Sequence, residues 1–131
     1  MRGSIPSGIG NLTTLQVLSA RSCGLHGTVP IAIGGLHGLQ ELSLGSNLLV
    51  GQVPDTSAMA SLTILSLENN SFTGPIPEYL GFQAESQLRY LLLSKNRLSS
   101  TVGQRMLSRL TGLRMLLLDS NGPTLSSATA I

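Results

Sequence analysis

Residues 36–54 read Leu36-His37-Gly38-Leu39-Gln40-Glu41-Leu42-Ser43-Leu44-Gly45-Ser46-Asn47-Leu48-Leu49-Val50-Gly51-Gln52-Val53-Pro54. Apolar residues fall at 36, 39, 42 and 44, then come Asn47, Leu49, Gly51 and the pair Val53-Pro54. The same order precedes it as Leu12, Leu15, Leu18, Ala20, Cys23, Leu25, Gly27, Val29-Pro30, and follows it as Met59, Leu62, Leu65, Leu67, Asn70, Phe72, Gly74, Ile76-Pro77. A fourth copy runs Leu88, Leu91, Leu93, Asn96, Leu98 and departs at Ser100 and Val102-Gly103. A fifth runs Leu110, Leu113, Leu116, Leu118, Asn121 and stops where Pro123 takes an apolar slot. Copies start at 12, 36, 59, 85 and 110, a spacing that predicts a solenoid built by stacking one coil on the next.

The bulk composition agrees with stacked coils. Of 131 residues, 41% are hydrophobic but only 3% aromatic, so the core must be layered Leu, Ile and Val rather than large rings. In a solenoid each coil buries its apolar ladder only against its neighbours, which leaves both ends in need of covering. The segment Met1-Arg2-Gly3-Ser4-Ile5-Pro6 matches Leu25-His26-Gly27-Thr28-Val29-Pro30 position for position, so the chain opens inside a repeat and reads as part of a longer protein, the alternative being a naturally short protein with frayed ends. The expected division is a partial repeat at 1–11, repeats at 12–35, 36–58, 59–84 and 85–109, an incomplete repeat at 110–121, and an irregular tail at 122–131. Neither a basic segment with an apolar leader nor an uninterrupted apolar run of ~18 residues occurs, so no membrane span is expected.

Within each copy the short L-x-L before the Asn alternates, the period of a strand with one buried face. These strands should stack in parallel as the concave sheet of an α/β repeat fold, with a convex side of short 3-10 turns and loops. The Asn ends each strand, because an amide both donates and accepts and can satisfy backbone groups that a sharp bend leaves open. Asn47, Asn70, Asn96 and Asn121 form that ladder, and Cys23 stands in the same column as a small buried thiol. Gly27, Gly51 and Gly74 then allow a tight bend, and each following Pro fixes φ and disfavours helix in the residue before it.

The order L-x-x-L-x-x-L-x-L-x-x-N-x-L-x-G-x-I-P resembles the plant-type leucine-rich repeat, and the Gly-x-(Ile/Val)-Pro element is what separates that subclass from others. The resemblance covers Met1 to about Asn121. It implies a right-handed horseshoe arc of about five repeats and a non-catalytic module that binds proteins, peptides or glycans. The family includes ectodomains of receptor-like kinases and receptor-like proteins in signalling and defence, and secreted inhibitors of cell-wall polygalacturonases; an orphan fragment with no activity of its own is the remaining alternative. The implied location is outside the cell or at its surface, with a protein or peptide ligand on the concave face and a co-receptor or cell-wall glycan as further partners. The paired cysteines of the family's caps are absent, as are its leader, membrane helix and kinase domain.

If the strand leucines point inward, the residues between them line the concave surface in columns. One column is Val17, Glu41, Ile64, Tyr90, Met115; the next is Ser19, Ser43, Ser66, Leu92, Leu117; beyond it stand Arg21, Gly45, Glu68, Ser94, Asp119. The face is thus small and polar at its start and apolar toward its end. Ile64, Tyr90, Leu92, Met115 and Leu117 are the candidate binding patch, flanked by Arg89, Lys95 and Arg114. Five strands at ~4.8 Å span about 20 Å, room for an extended peptide of roughly six residues.

Net charge is +2, too small to indicate nucleic acid. Its distribution is uneven: residues 86–118 hold Arg89, Lys95, Arg97, Arg105, Arg109 and Arg114 with no Asp or Glu, and of these Arg97, Arg105 and Arg109 are expected on loops and the convex side as a solvated face. Two triplets, Asn11-Leu12-Thr13 and Asn69-Asn70-Ser71, read as N-glycosylation acceptors in surface turns. Chemistry is not indicated. His26 and His37 sit in no nucleophile motif, Cys23 and His26 are too few for zinc, and Gly8-Ile9-Gly10 and Gly34-Gly35 are read as turn glycines rather than a phosphate loop. No cofactor, metal or catalytic residue is expected.

Overall fold

The computed structural model describes residues 3–77, 80, 87–99 and 108–121. The Ser100 to Gly103 departure, Glu78, Glu85, Arg105 and the tail from Gly122 lie outside the described residues. The strands in chain order are β1 (Val17–Ser19), β2 (His26–Thr28), β3 (Glu41–Ser43), β4 (Leu48–Gln52), β5 (Ile64–Ser66), β6 (Ser71–Gly74), β7 (Tyr90–Leu92), β8 (Arg97–Leu98) and β9 (Met115–Leu117). The odd-numbered strands form one parallel sheet in the order β1-β3-β5-β7-β9, and the even-numbered ones a second in the order β2-β4-β6-β8.

The first sheet runs in step. Val17 pairs Glu41, Glu41 pairs Ile64, Ile64 pairs Tyr90 and Tyr90 pairs Met115, so equivalent residues of successive coils lie side by side. The middle residue of each strand, Leu42, Leu65, Leu91 or Leu116, turns inward and is buried, as are Leu44, Leu67, Leu93 and Leu118 two residues on. Each such leucine contributes about 1.5–3 kcal/mol when fully taken out of water. Leu15, Leu18, Ala20 and Leu25 of the first coil are only partly buried, because β1 is the edge of its sheet among the described residues.

The Asn side chains tie coil to coil. Nδ2 of Asn47, Asn70, Asn96 and Asn121 donates to a carbonyl of the preceding coil, Ala20 at 2.9 Å and Leu44, Leu67 and Leu93 at 3.0 Å each. It also donates to its own coil, to Leu44, Leu67, Leu93 and Leu118 respectively. Oδ1 accepts the N–H of Leu25, Leu49, Phe72 or Leu98, again from the preceding coil. Removing the amide would orphan a main-chain donor and two acceptors near the core, each costing about 1–3 kcal/mol. The residue before each ladder position, Ser22, Ser46, Asn69, Lys95 or Ser120, takes φ between 53° and 58°. That left-handed step costs most side chains of order 1–3 kcal/mol, and the amide bonds it aims offset the strain.

Cys23 corrects the expectation of a buried thiol. Its main-chain N–H does donate to Asn47 Oδ1 at 3.0 Å, as its column requires. The side chain, however, is exposed, and Sγ reaches only the carbonyl of Arg21 at 3.2 Å. A ladder side chain is buried by the coil before it, and no strand lies outside β1 among the described residues.

The second sheet was not anticipated from the sequence, which indicated only bends there. Gly27, Gly51 and Gly74 have φ of 78°, 87° and 82° and lie within strands. Pairing here is staggered: Gly3 bridges Leu25, Gly27 pairs Leu49, Gly51 pairs Phe72 and Gly74 pairs Leu98. Each strand has slipped two residues against its neighbour, a shift that preserves which side chains face inward because the strand period is two. Pro6 and Pro30 start the 3-10 helices Ser7–Asn11 and Ile31–Gly35. Gly8, Gly10, Gly34 and Gly35 therefore stand in 3-10 turns, as expected of glycines on the convex side. A Cβ on Gly10 would meet Ala32 O at 2.6 Å, so this glycine is needed for the close approach of the two helices.

Candidate functional site

The concave sheet presents the columns in the expected register. Each strand is seated by one carbonyl that accepts two N–H groups: Gln16 O from Gln40 and Glu41, Gln40 O from Thr63 and Ile64, Thr63 O from Arg89 and Tyr90, Arg89 O from Arg114 and Met115. Arg89 and Arg114 are thereby pinned at the heads of neighbouring strands. Lys95 stands at the other end, in the left-handed position after β7. Between these cations lie Tyr90, Leu92, Met115 and Leu117, with Ile64 beside Tyr90. Met115 is exposed, while Ile64, Tyr90, Leu92 and Leu117 are half-buried, so the patch offers edges of side chains rather than whole ones. Arg89 lies over Gly112, where a Cβ would run into its Nη1, and its guanidinium donates to Leu88 O at 3.4 Å.

The early part of the face is closed by its own side chains. Arg21 forms an ion pair with Glu68 two coils away and donates to Ser66 Oγ at 2.7 Å. Gly45 makes this possible, since a Cβ there would stand 2.6 Å from Arg21 Nη1 and 2.7 Å from Glu68 Oε1. Ser66 donates to Glu68 and Ser43 to Glu41 at 2.8 Å, and both serines are buried, contrary to a column read as facing solvent. Burial pushes the Glu68 carboxyl up, but the hydrogen bonds from Ser66 and the main chain and the Arg21 charge outweigh it, and the net position is below the usual value. The sequence placed Arg21, Gly45 and Glu68 in one column, and the glycine between opposite charges was the signal for this bridge.

The remaining expected sites are separate. Asn11 is exposed at the end of the first 3-10 helix, and Asn69 is exposed in its turn with Nδ2 donating to Ser46 Oγ at 3.4 Å. Arg97 is exposed on β8, away from the concave face. A cleft of about 460 Å³ opens on the convex side between the two Val-Pro corners, lined mainly by Val29, Pro30, Ile31, Val53 and Pro54. Among the described residues no three His, Cys, Asp or Glu gather as a metal site, and no helix is long and apolar enough to cross a membrane.

These features are shared with known proteins. The Leucine Rich Repeat family model matches residues 61–82. The structure of the plant peptide hormone receptor RGFR1 in complex with RGF2 is similar at TM-score 0.87 and 31% identity, over 95% of this chain and 19% of that one. The Arabidopsis receptor kinase HAESA, solved with the peptide hormone IDA and the co-receptor SERK1, matches at TM-score 0.86 and 33% identity, over 95% and 20%. The ectodomain of the receptor kinase SOBIR1 from Arabidopsis thaliana matches at TM-score 0.72 and 38% identity, over 79% and 55%. No curated protein matches the sequence. The chain is a leucine-rich repeat protein. Its Gly-x-(Val/Ile)-Pro corners and the receptor ectodomains it resembles place it in the plant type, and it spans about a fifth of the length of the first two of these receptors.

Proposed function

We propose that this chain is a recognition segment of an extracellular, plant-type receptor ectodomain that holds a peptide or protein ligand on its concave sheet and performs no catalysis. The observation that carries this reading is the contiguous apolar strip of Tyr90, Leu92, Met115 and Leu117, in register across β7 and β9 and continued by Ile64, where β1, β3 and β5 present Ser19, Glu41, Ser43 and Ser66 among their face residues. Solvent-facing apolar groups with a charged rim are costly to maintain on a surface and mark interaction sites. The relatives solved with peptide hormones support the choice of ligand, and the co-receptor in one of them supports a second protein partner. A cell-wall glycan remains a further partner of the same reading, and Asn11 and Asn69 are its glycosylation sites.

The test is binding of a secreted-peptide library to the immobilised chain, repeated with the double variant Tyr90→Ala, Leu92→Ser. Both residues are half-buried, so circular dichroism must show the variant folded, and Val17→Ser, on the same column at the far edge, serves as the control. Affinity for the selected peptides is expected to fall at least about tenfold in the double variant and not in the control, as for loss of central anchors. Unchanged affinity in the folded double variant would refute the assignment.

A further inference from the structure

We infer that the late concave face selects an acidic, extended peptide segment whose carboxylates bracket apolar side chains; this rests on the peptide-binding reading above and names the ligand's chemistry. The same sheet shows how the chain treats a cation that it intends to neutralise itself. Arg21 lies over a bare glycine to reach Glu68 and Ser66, and its charge is consumed within the molecule. Arg89 also lies over a glycine, Gly112, but its guanidinium ends on the Leu88 carbonyl and not on a carboxylate, and Lys95 and Arg114 are exposed. None of them forms an ion pair with a described carboxylate. Among the described residues of these two coils the acid is Asp119, which follows β9 at the end of the strand away from Arg89 and Arg114; it stands on the Lys95 side, where its main-chain carbonyl accepts the Lys95 N–H at 2.9 Å, but its carboxylate forms no ion pair with Lys95.

The backbone fixes the layout of these charges. Arg89 and Arg114 head adjacent parallel strands through the shared Arg89 carbonyl, at 2.7 Å to the Arg114 N–H. Neighbouring strands lie ~4.8 Å apart, so two guanidinium stems stand side by side at one edge of the apolar strip, with the Lys95 ammonium at the other. A partner that covers the strip must desolvate its rim. A cationic partner would meet like charges there, a neutral one would leave the cations without compensation, and an anionic one would satisfy them. A polyanionic sugar chain would match the charge but offers nothing to Leu92, Met115 and Leu117, which is why a peptide is assigned. The neutral bridge at Arg21 and Glu68 bounds the footprint on the early side.

The test uses three labelled hexapeptides, alternating leucine with glutamate, lysine or serine, and a hexameric oligogalacturonate, each titrated against the whole chain. The glutamate peptide is expected to bind at least about tenfold tighter than the lysine peptide, an advantage that shrinks as salt shortens the screening length from about 10 Å toward 3 Å. Lys95→Gln and Arg114→Gln, both at exposed positions, should each weaken the glutamate peptide about threefold and leave the serine peptide unchanged, while Arg21→Gln changes none. Equal binding of the glutamate and lysine peptides, or indifference to the double variant Lys95→Gln, Arg114→Gln, overturns the inference while leaving the peptide-binding reading intact if Tyr90→Ala, Leu92→Ser still abolishes binding. Preference for oligogalacturonate, unaffected by Leu92→Ser, overturns it in favour of a polysaccharide. Indifference to both the charge variants and the apolar variants overturns the two readings together.

Discussion

Two glycines show how differently the same substitution acts on this framework. A Cβ on Gly10 meets the main-chain oxygen of Ala32 at 2.6 Å and its Cβ at 2.9 Å, atoms held by the second 3-10 helix. A Cβ on Gly45 meets only the ends of Arg21 and Glu68, which can swing into solvent. Gly10→Ala is therefore expected to destabilise by about 1–3 kcal/mol through overpacking. Gly45→Ala should stay within about 1 kcal/mol, since it sacrifices a partly exposed ion pair. Urea unfolding of the two variants checks the order, and an equal loss from both would contradict it. The role of Gly10 had no signal in the sequence, and that of Gly45 had only its place between Arg21 and Glu68 in one column. A column read from sequence tells which residues are neighbours, not how far a side chain reaches across them. Cys23 makes the same point from the other side: its column was correct, but burial belongs to the pair of coils and not to the position in one.

At the scale of elements, the sequence marked the odd-numbered strands well because the leucine pairs Leu42 and Leu44, Leu65 and Leu67, Leu91 and Leu93, and Leu116 and Leu118 recur two residues apart at the same place in each copy. It did not mark the second sheet. There the glycines interrupt the alternation, three of the strands carry positive φ at a glycine, and the pairing is offset, so no local period announces it. The bridge between the first and third concave strands has its own pH signature. The Glu68 carboxyl is held below its usual value in the folded chain, so it releases its proton more readily there than when unfolded. Its contribution to stability is present above the ordinary glutamate pKa and is lost as pH falls through the depressed folded value. Wild type should thus lose stability on acidification through that window, while Glu68→Gln should lose less. Parallel pH series of thermal melting would show the two curves converging at low pH; curves that stay parallel would mean the bridge contributes nothing.

For the whole molecule, stability is shared unequally among the coils. Leu42, Leu65 and Leu91 are fully buried, whereas Leu18 is only partly so and Val17 is 51% exposed. In a stack held by nearest-neighbour interfaces, the coil with one neighbour opens first. Amide hydrogen exchange on the chain as it stands should be faster in Val17–Ser19 than in Glu41–Ser43 or Ile64–Ser66, with the middle two protected alike. Uniform protection across all three would mean that the coils unfold as one unit. The arrangement of repeats was readable because each repeat states its phase independently, and five consistent statements outweigh any local ambiguity. The candidate patch was readable only as a list of neighbours, since the half-burial of Tyr90 and Leu92 and the pinned heads of β7 and β9 arise from contacts between coils.

The two seams of the stack keep different time. Along the concave seam every coil matches the last, while along the other each Gly meets a residue two places upstream of its own counterpart, Gly27 with Leu49 and Gly51 with Phe72. Stacking therefore works as a screw thread whose lead is set by the interval of four residues from ladder position to glycine, Cys23 to Gly27, Asn47 to Gly51 and Asn70 to Gly74. A grafted coil would mesh only if it kept that interval; one residue more would jam the thread on one seam while leaving the other free to close.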